Sequence, residues 1–408
     1  MKIGILTYHS VYNFGANLQV YSTIGYLKNY GFEPIVINWV PEDLEERYNR
    51  TIPKIQIEEH KRFIQRNLQC TEICRTDIDL VDVIINHDIK GIIIGSDAVL
   101  QHQTFWSRLY LTKKGPVLKK RPGKDVLFPN PFWGSFVPLM AEKIPVVIMS
   151  ASSQNANFKL FRGKLRKQMN ISLGQFKSIT VRDRWTREMI KYLTNSFIIP
   201  DITPDPVFAY NQNIKEQWSK EDLIKKFNLP EKYILISFRN RKCVTKEWLN
   251  SFRLLAEENN LQCVVLPMPD GIKFDHAFNN VIELPIGPEE WYGLIKHSSG
   301  YIGENMHPIV VALHNCIPFY AFDSYGIVRL KYFVNKKSSK IYDILFQAGF
   351  TERSISILGR GYKPPLPEEV FSQLIDFDFS KCERFSMSQL ESYNAMMENI
   401  TSKIKVRG

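Results

Sequence analysis

Short runs of apolar residues that end on polar ones are what most restrict the fold of this 408-residue chain. Residues 2–8 (KIGILTY) and 91–95 (GIIIG) are apolar almost throughout, with no alternation. A strand with water on one face alternates, and one covered on both faces does not. These two runs therefore read as parallel strands inside an α/β sheet. Similar runs at 145–149, 179–181, 197–199, 233–238, 263–266 and 281–284 are separated by stretches with helical periodicity. Residues 16–29, for example, place Leu18, Tyr21, Ile24 and Leu27 on one helical face. Gly31 stops that helix and residues 34–38 form the next strand, so the chain opens with a βαβ unit.

The length exceeds what one core holds, which implies two domains. Thr203-Pro204-Asp205-Pro206 suits a junction between them. The expected architecture is α/β, with two Rossmann-like domains facing a cleft in a GT-B-like arrangement. The expected boundaries are 1–204, 205–365 and a C-terminal helical segment, 366–408. Within that segment, residues 385–404 are amphipathic and long enough to cross back onto the first domain. Residues 42–86 read as helical, and 101–138 as a long ordered loop with Phe105, Trp106, Phe132 and Trp133. These aromatics plug a core or form a sugar platform.

At 44% hydrophobic and 23% charged the composition is that of a globular protein. The formal charge of +11 favours acidic partners such as phosphorylated substrates, anionic glycans or an anionic membrane surface. Basic residues are dispersed, and no nucleic-acid partner is expected. Their densest run, Lys113, Lys114, Lys119, Lys120, Arg121 and Lys124, is a solvated loop or a patch for an acceptor or a membrane. Six cysteines are few for this length and show no zinc spacing, so neither a disulfide framework nor a metal site is expected. Cys243, Cys263 and Cys316 read as buried thiols. No run reaches the roughly 20 apolar residues of a membrane span. The expected location is the cytoplasm, with peripheral contact at the membrane.

Residues 301–326 (YIGENMHPIVVALHNCIPFYAFDSYG) read strand, turn, helix, strand. His307 then falls at a helix start beyond a strand's C-terminal end, with Pro308 just inside the helix at its first position. Open α/β sheets bind ligands at that edge, and free helix N–H groups there favour anions. Other strand ends carry Asn13, Ser96, Asp97, Ser152, Arg182, Arg239 and Arg241. Arginine grips carboxylate or phosphate in bidentate fashion, and a histidine exchanges protons near neutral pH. The turn Asn13-Phe14-Gly15-Ala16-Asn17 lacks the GxGxxG of a dinucleotide site, and GxSxG, HExxH, Walker A and CxxC are all missing.

Taken in order, NFGANLQ at 13–19, IIIGSDAV at 92–99, Ser150-Ala151-Ser152, ITVRDRWT at 179–186, Asp205-Pro206-Val207 and MHPIVVALHNCIPFYAF from Met306 resemble the polysaccharide pyruvyl transferase family over residues 1–350. The resemblance implies a GT-B-like enzyme that moves a pyruvyl group from phosphoenolpyruvate onto a sugar and needs no cofactor. The acceptor would be a sugar or a lipid-linked glycan. It implies His307 as the active-site histidine and Arg182 as a contact to phosphoenolpyruvate. Asn305, Met306, Asn13, Gly15, Ser96, Asp97, Ser152 and Arg239 complete the expected substrate site. The family often has arginine where this chain has Asn305, so either Arg239 or Arg241 supplies that charge, donor binding is weaker, or the donor differs. The alternatives are a GT-B glycosyltransferase using a nucleotide sugar, and a non-catalytic glycan-binding paralogue.

Overall fold

The computed structural model describes residues 1–112, 115–118, 120–239, 243–329 and 332–405, the side chains of 110–112 and 329 excepted. Lys113, Lys114, Lys119 and Arg241 thus lie outside the described residues. Two six-stranded sheets, parallel throughout, organise the chain. The first comprises β1 (Lys2–Leu6), β2 (Glu33–Val36), β3 (Gly91–Asp97), β4 (Val146–Ala151), β5 (Ser178–Val181) and β6 (Asp201–Ile202) in the order β2-β1-β3-β4-β5-β6. The second comprises β7 (Tyr233–Ser237), β8 (Gln262–Val265), β9 (Asn280–Val281), β10 (Gly300–Gly303), β11 (Phe319–Asp323) and β12 (Ser354–Ser356) in the order β9-β8-β7-β10-β11-β12. Each order reverses once, between β1 and β3 and between β7 and β10. Loops leave such a switch point in opposite directions and open a crevice at the strands' C-terminal ends.

The apolar runs are buried on both faces, as their composition requires. Ile3, Ile5, Ile93, Val147 and Met149 face one core, and Leu6, Ile92, Ile94, Val146 and Ile148 face another. The second sheet divides likewise, with Tyr233 and Leu235 on one side and Ile234 and Ile236 on the other.

Four helices matter most for the geometry between the sheets: α1 (Phe14–Asn29), α2 (Met306–His314), α3 (Lys340–Ala348) and α4 (Phe379–Lys405). The first of them belongs to both halves, since Phe14 and Leu18 pack in the second half's core and Val20 and Ile24 in the first's. Crossing back, α4 lays Tyr393, Met396, Met397, Ile400 and Ile404 on the first sheet. Burying each such side chain stabilises by about 1.5–3 kcal/mol. Gly91 makes room for the crossing, because a Cβ there would overlap Ile404. Near its start, α4 bonds the second half, through Cys382 Sγ to Leu313 O at 3.3 Å and Ser386 Oγ to His314 O at 2.9 Å.

Several expectations need correction. Residues 197–199 form no strand; Phe197 is almost fully exposed and pairing begins beyond Pro200, at Asp201. Ser96 and Asp97 end β3 itself rather than following it. The stretch 101–138 contains a short helix, Phe105–Arg108, and a hairpin of Leu109–Thr112 with Gly115–Leu118. Phe132 and Trp133 are core plugs of the first half, while Phe105 and Trp106 are exposed. Pro308 is the third residue of α2, not the first, yet it remains in the turn whose N–H groups have no intrahelical partner. Cys316 is partly exposed. Among the described residues, no helix is long and apolar enough to cross a membrane.

Candidate functional site

The two switch points face each other across a cavity of about 120 Å³. From the first half come Tyr12, Asn13 and Phe14, at the start of α1. The second half contributes Ser237 at the end of β7 and Arg239 just after it, Met268 after β8, Asn305 to Pro308 after β10, and Lys340 at the start of α3. The starts of α1 and α2 lack a side-chain cap. Asn13 and Asn305 stand at their N-cap positions without bonding their own helix. Two sets of unsatisfied N–H groups, each with the positive end of a helix dipole, therefore point toward one space.

His307 is the second residue of α2 and is buried to 7% exposure. Its imidazole lies against Gly15 of α1, where a Cβ would overlap the ring. This contact accounts for the glycine: a close approach between halves requires it, not a positive φ. Burial lowers the pKa of His307 to about 4; Asp97 and Asp205 pull it back, and Arg182 and Lys340 oppose them. The ring is neutral at pH 7 in the free protein, and its Nε2 is buried with no partner among the described residues.

Arg182 is not among the residues that line this cavity. Its guanidinium lies behind the cavity, between two carboxylates: Nη2 to Asp97 Oδ1 at 3.1 Å and Nη1 to Asp205 Oδ2 at 2.9 Å. All three side chains are buried. Burial disfavours the Asp97 anion, but Arg182, with His307 and Lys340, holds its carboxyl below the usual range. Asp205 also accepts from Gln19 Nε2 of α1 at 2.5 Å. The group fixes the 203–206 segment and α1 to the β3 and β5 ends; both of its hydrogen-bonded nitrogens are already spent on protein carboxylates.

Ser96, Asp97 and Ser152 share this buried layer. Thr7 Oγ1 donates to Ser96 O at 3.0 Å, and Ser152 N donates to Asp97 O at 2.8 Å. Of the expected site residues, the structure therefore brings Asn13, Gly15, Arg239, Asn305, Met306 and His307 together, and sets Ser96, Asp97, Ser152 and Arg182 behind them. Arg239 is half exposed and pairs with Asp270 at 2.6 Å. Asn305 Nδ2 lies 2.9 Å from Met268 Sδ.

Sequence reasoning missed Lys340. Ser339 caps α3 by accepting from Tyr342 N at 3.2 Å, and donates to Asp323 at the end of β11 at 2.6 Å. That docks α3 so that its first residue enters the cavity. A signal existed: a cation at a helix N-terminus opposes the dipole, and such a residue needs another reason to be there.

The family model for polysaccharide pyruvyl transferase matches residues 13–325, more than three quarters of the chain. None of the curated proteins matches it. Among solved structures it is similar to the UDP-GlcNAc 2-epimerase of Neisseria meningitidis bound to UDP-GlcNAc, with a TM-score of 0.57 and 10% identity, covering 99% of each chain. The UDP-GlcNAc 2-epimerase of Methanocaldococcus jannaschii gives 0.56 and 10%, covering 98% of this chain and 100% of that one. Spinosyn forosaminyltransferase gives 0.52 and 9%, covering all of both. At such identities the likeness is one of fold: two Rossmann-like domains in the GT-B arrangement.

Proposed function

The chain belongs to the polysaccharide pyruvyl transferase family, and from that premise we propose that it transfers a pyruvyl group from phosphoenolpyruvate to two hydroxyls of a sugar in a polysaccharide or its precursor. The observation that carries this reading is His307, at the start of α2 in the cavity between the halves, pressed against Gly15 of α1.

The chemistry follows from the donor's polarity. A proton adds to the methylene carbon of phosphoenolpyruvate and leaves an electron-poor C2. One sugar hydroxyl attacks C2 and loses its proton. The C2–O bond to phosphorus breaks, and phosphate departs with the electron pair. A neighbouring hydroxyl attacks the same carbon, loses its proton and closes the ketal. Of the two hydroxyl protons, one balances that gained by the methyl group, and the other leaves on hydrogen phosphate.

The donor's carboxylate and phosphate suit the N–H groups at the starts of α1 and α2. His307 handles the proton. Neutral in the free protein, it sits where a bound dianion favours the charged ring, so donor binding loads it with the proton the carbon requires. We assign the donor to the second half, with the start of α1 reaching it across the cavity, and the acceptor to the rest of the first half. The acceptor is a sugar or a lipid-linked glycan, and a chain of net charge +11 suits work beside an anionic membrane.

Calorimetric titration of phosphoenolpyruvate near pH 6.5, in buffers of differing ionisation enthalpy, tests this. The donor's phosphate also titrates there, so the comparison is with His307→Gln. Wild type takes up more protons than the variant, and His307→Ala loses transfer by at least about a hundredfold. Full transfer by His307→Ala overturns the role of His307. Absence of phosphoenolpyruvate binding, with thermal stabilisation by UDP, turns the reading toward a nucleotide-sugar transferase. Saturable glycan binding without any donor turns it toward a binding protein.

A further inference from the structure

We propose that Lys340 is the cation that holds the donor's anionic end, in place of the arginine this chain lacks at position 305. The inference rests on the pyruvyl-transfer reading and names a residue beyond the segment, 13–325, that the family model matches.

Lys340 is 8% exposed and lines the same cavity as His307, Asn13 and Asn305. It comes from a third direction, the start of α3, so the cavity is ringed by the starts of three helices. Its ammonium makes no hydrogen bond, and no ion pair within 4.0 Å, with any described residue. It lies over the ring of Tyr325, 4.4 Å from the centroid. Asp97 and Asp323 feel its charge from beyond pairing distance. The first is taken by Arg182, and the second accepts from Ser339 and from Tyr325 N at 2.9 Å.

A buried cation without a partner is costly, and its helix dipole adds to that cost. Such an arrangement persists where a ligand completes it. Among the described residues, the other cations near the cavity are committed: Arg182 to Asp97 and Asp205, Arg239 to Asp270. A ligand that pairs with Lys340 and also reaches the N–H groups of α1 and α2 carries at least two negative groups. Phosphoenolpyruvate, with carboxylate and phosphate on one carbon, has that form. The Tyr325 ring holds the ammonium in place without neutralising it.

Wild type, Lys340→Met and Lys340→Arg are titrated calorimetrically with phosphoenolpyruvate and with inorganic phosphate, and melted without ligand. Lys340→Met is expected to bind phosphoenolpyruvate about 10- to 100-fold more weakly. Lys340→Arg keeps more of the affinity. Lys340→Met melts at the wild-type temperature or above, because it removes an unpaired buried charge; a structural lysine would lower it. With acceptor present, the change falls on KM for phosphoenolpyruvate more than on kcat. Unchanged phosphoenolpyruvate binding by Lys340→Met overturns the assignment while leaving the functional reading intact. Wild type that binds neither anion overturns both. Wild type that binds phosphate alone, and loses it with Lys340→Met, retains Lys340 as the anion holder and removes phosphoenolpyruvate as the donor.

Discussion

The rims of the two sheets present similar residue types and use them in opposite ways. At the first rim, after β3 and β5, an arginine meets two aspartates, and its charge is countered within the protein. At the second rim, after β7, β10 and β11, His307 keeps a buried Nε2 with no partner among the described residues, and none of them brings a carboxylate within pairing distance of Lys340. Both rims lie at the C-terminal edge of a parallel sheet, so position alone does not separate them. The difference lies in where the counter-charge comes from. Asp97 and Asp205 bring it with the chain at the first rim; at the second, a ligand must bring it. The first rim therefore reads as the joint that sets the geometry, and the second as the surface that meets an anionic substrate.

The largest effect that can break this contrast is Arg182→Leu. Removing the guanidinium leaves Asp97 and Asp205 buried and unpaired, and the loss is expected to be about 3–5 kcal/mol. Urea unfolding measures it. A second-rim cation behaves otherwise, since its removal does not strand a buried anion. Wild-type stability in Arg182→Leu together with lost phosphoenolpyruvate binding would make Arg182 a donor ligand and erase the distinction.

The same contrast explains what was legible in the sequence. Unbroken apolar runs located ten of the twelve strands in the two large sheets and neither hairpin, because burial on both faces leaves a compositional mark that local reading detects. Residues 197–199 misled because the run is apolar yet lies before Pro200, with pairing only from Asp201 onward. His307 was legible from strand–turn–helix order. The partners of Arg182 were not, since a strand-end arginine looks the same whether it faces solvent, a ligand or two aspartates 85 and 23 residues away. Lys340 went unread because nothing local ties it to β10; Ser339 and Asp323 bring it there through a contact 16 residues apart. Gly15 was visible as turn chemistry, while its reason, an imidazole nearly three hundred residues later, belongs to the tertiary fold.

Gly15→Ala tests whether the rims act as one site. The added methyl falls on the His307 ring, so α1 and α2 must separate. Overpacking costs about 1–3 kcal/mol, and alanine's helix propensity returns about 1 kcal/mol. Net stability is therefore expected to fall by about 0–2 kcal/mol. Transfer is expected to fall about 10- to 100-fold, because a shift of about 1 Å at a reacting group has effects of that order. Steady-state kinetics beside urea unfolding separates the two. Equal activity in Gly15→Ala would show that the cavity tolerates the halves apart.

The smallest effect concerns pH. His307 has a folded-state pKa of about 4, against an ordinary value of 6.5. Between those values the unfolded chain binds more protons, so stability falls as pH drops from about 6.5 toward 4 and is fully present above 6.5. His60, His102 and His314, each near 4, add slopes of the same sign. Buried carboxyls raised above their ordinary range run the other way: Asp183 is one, and Asp323, pushed up to about 6, is another. The absolute profile is therefore a sum, and the informative quantity is a difference. Between pH 7 and pH 5, wild type is expected to lose more stability than His307→Gln, by about 1–2 kcal/mol. Saturating phosphoenolpyruvate should shrink that gap, because an anion beside Lys340 favours the charged imidazole and raises the folded-state pKa toward that of the unfolded chain. If the gap stays the same with ligand present, the anion does not reach His307, and the second rim's free charges serve some purpose other than the donor.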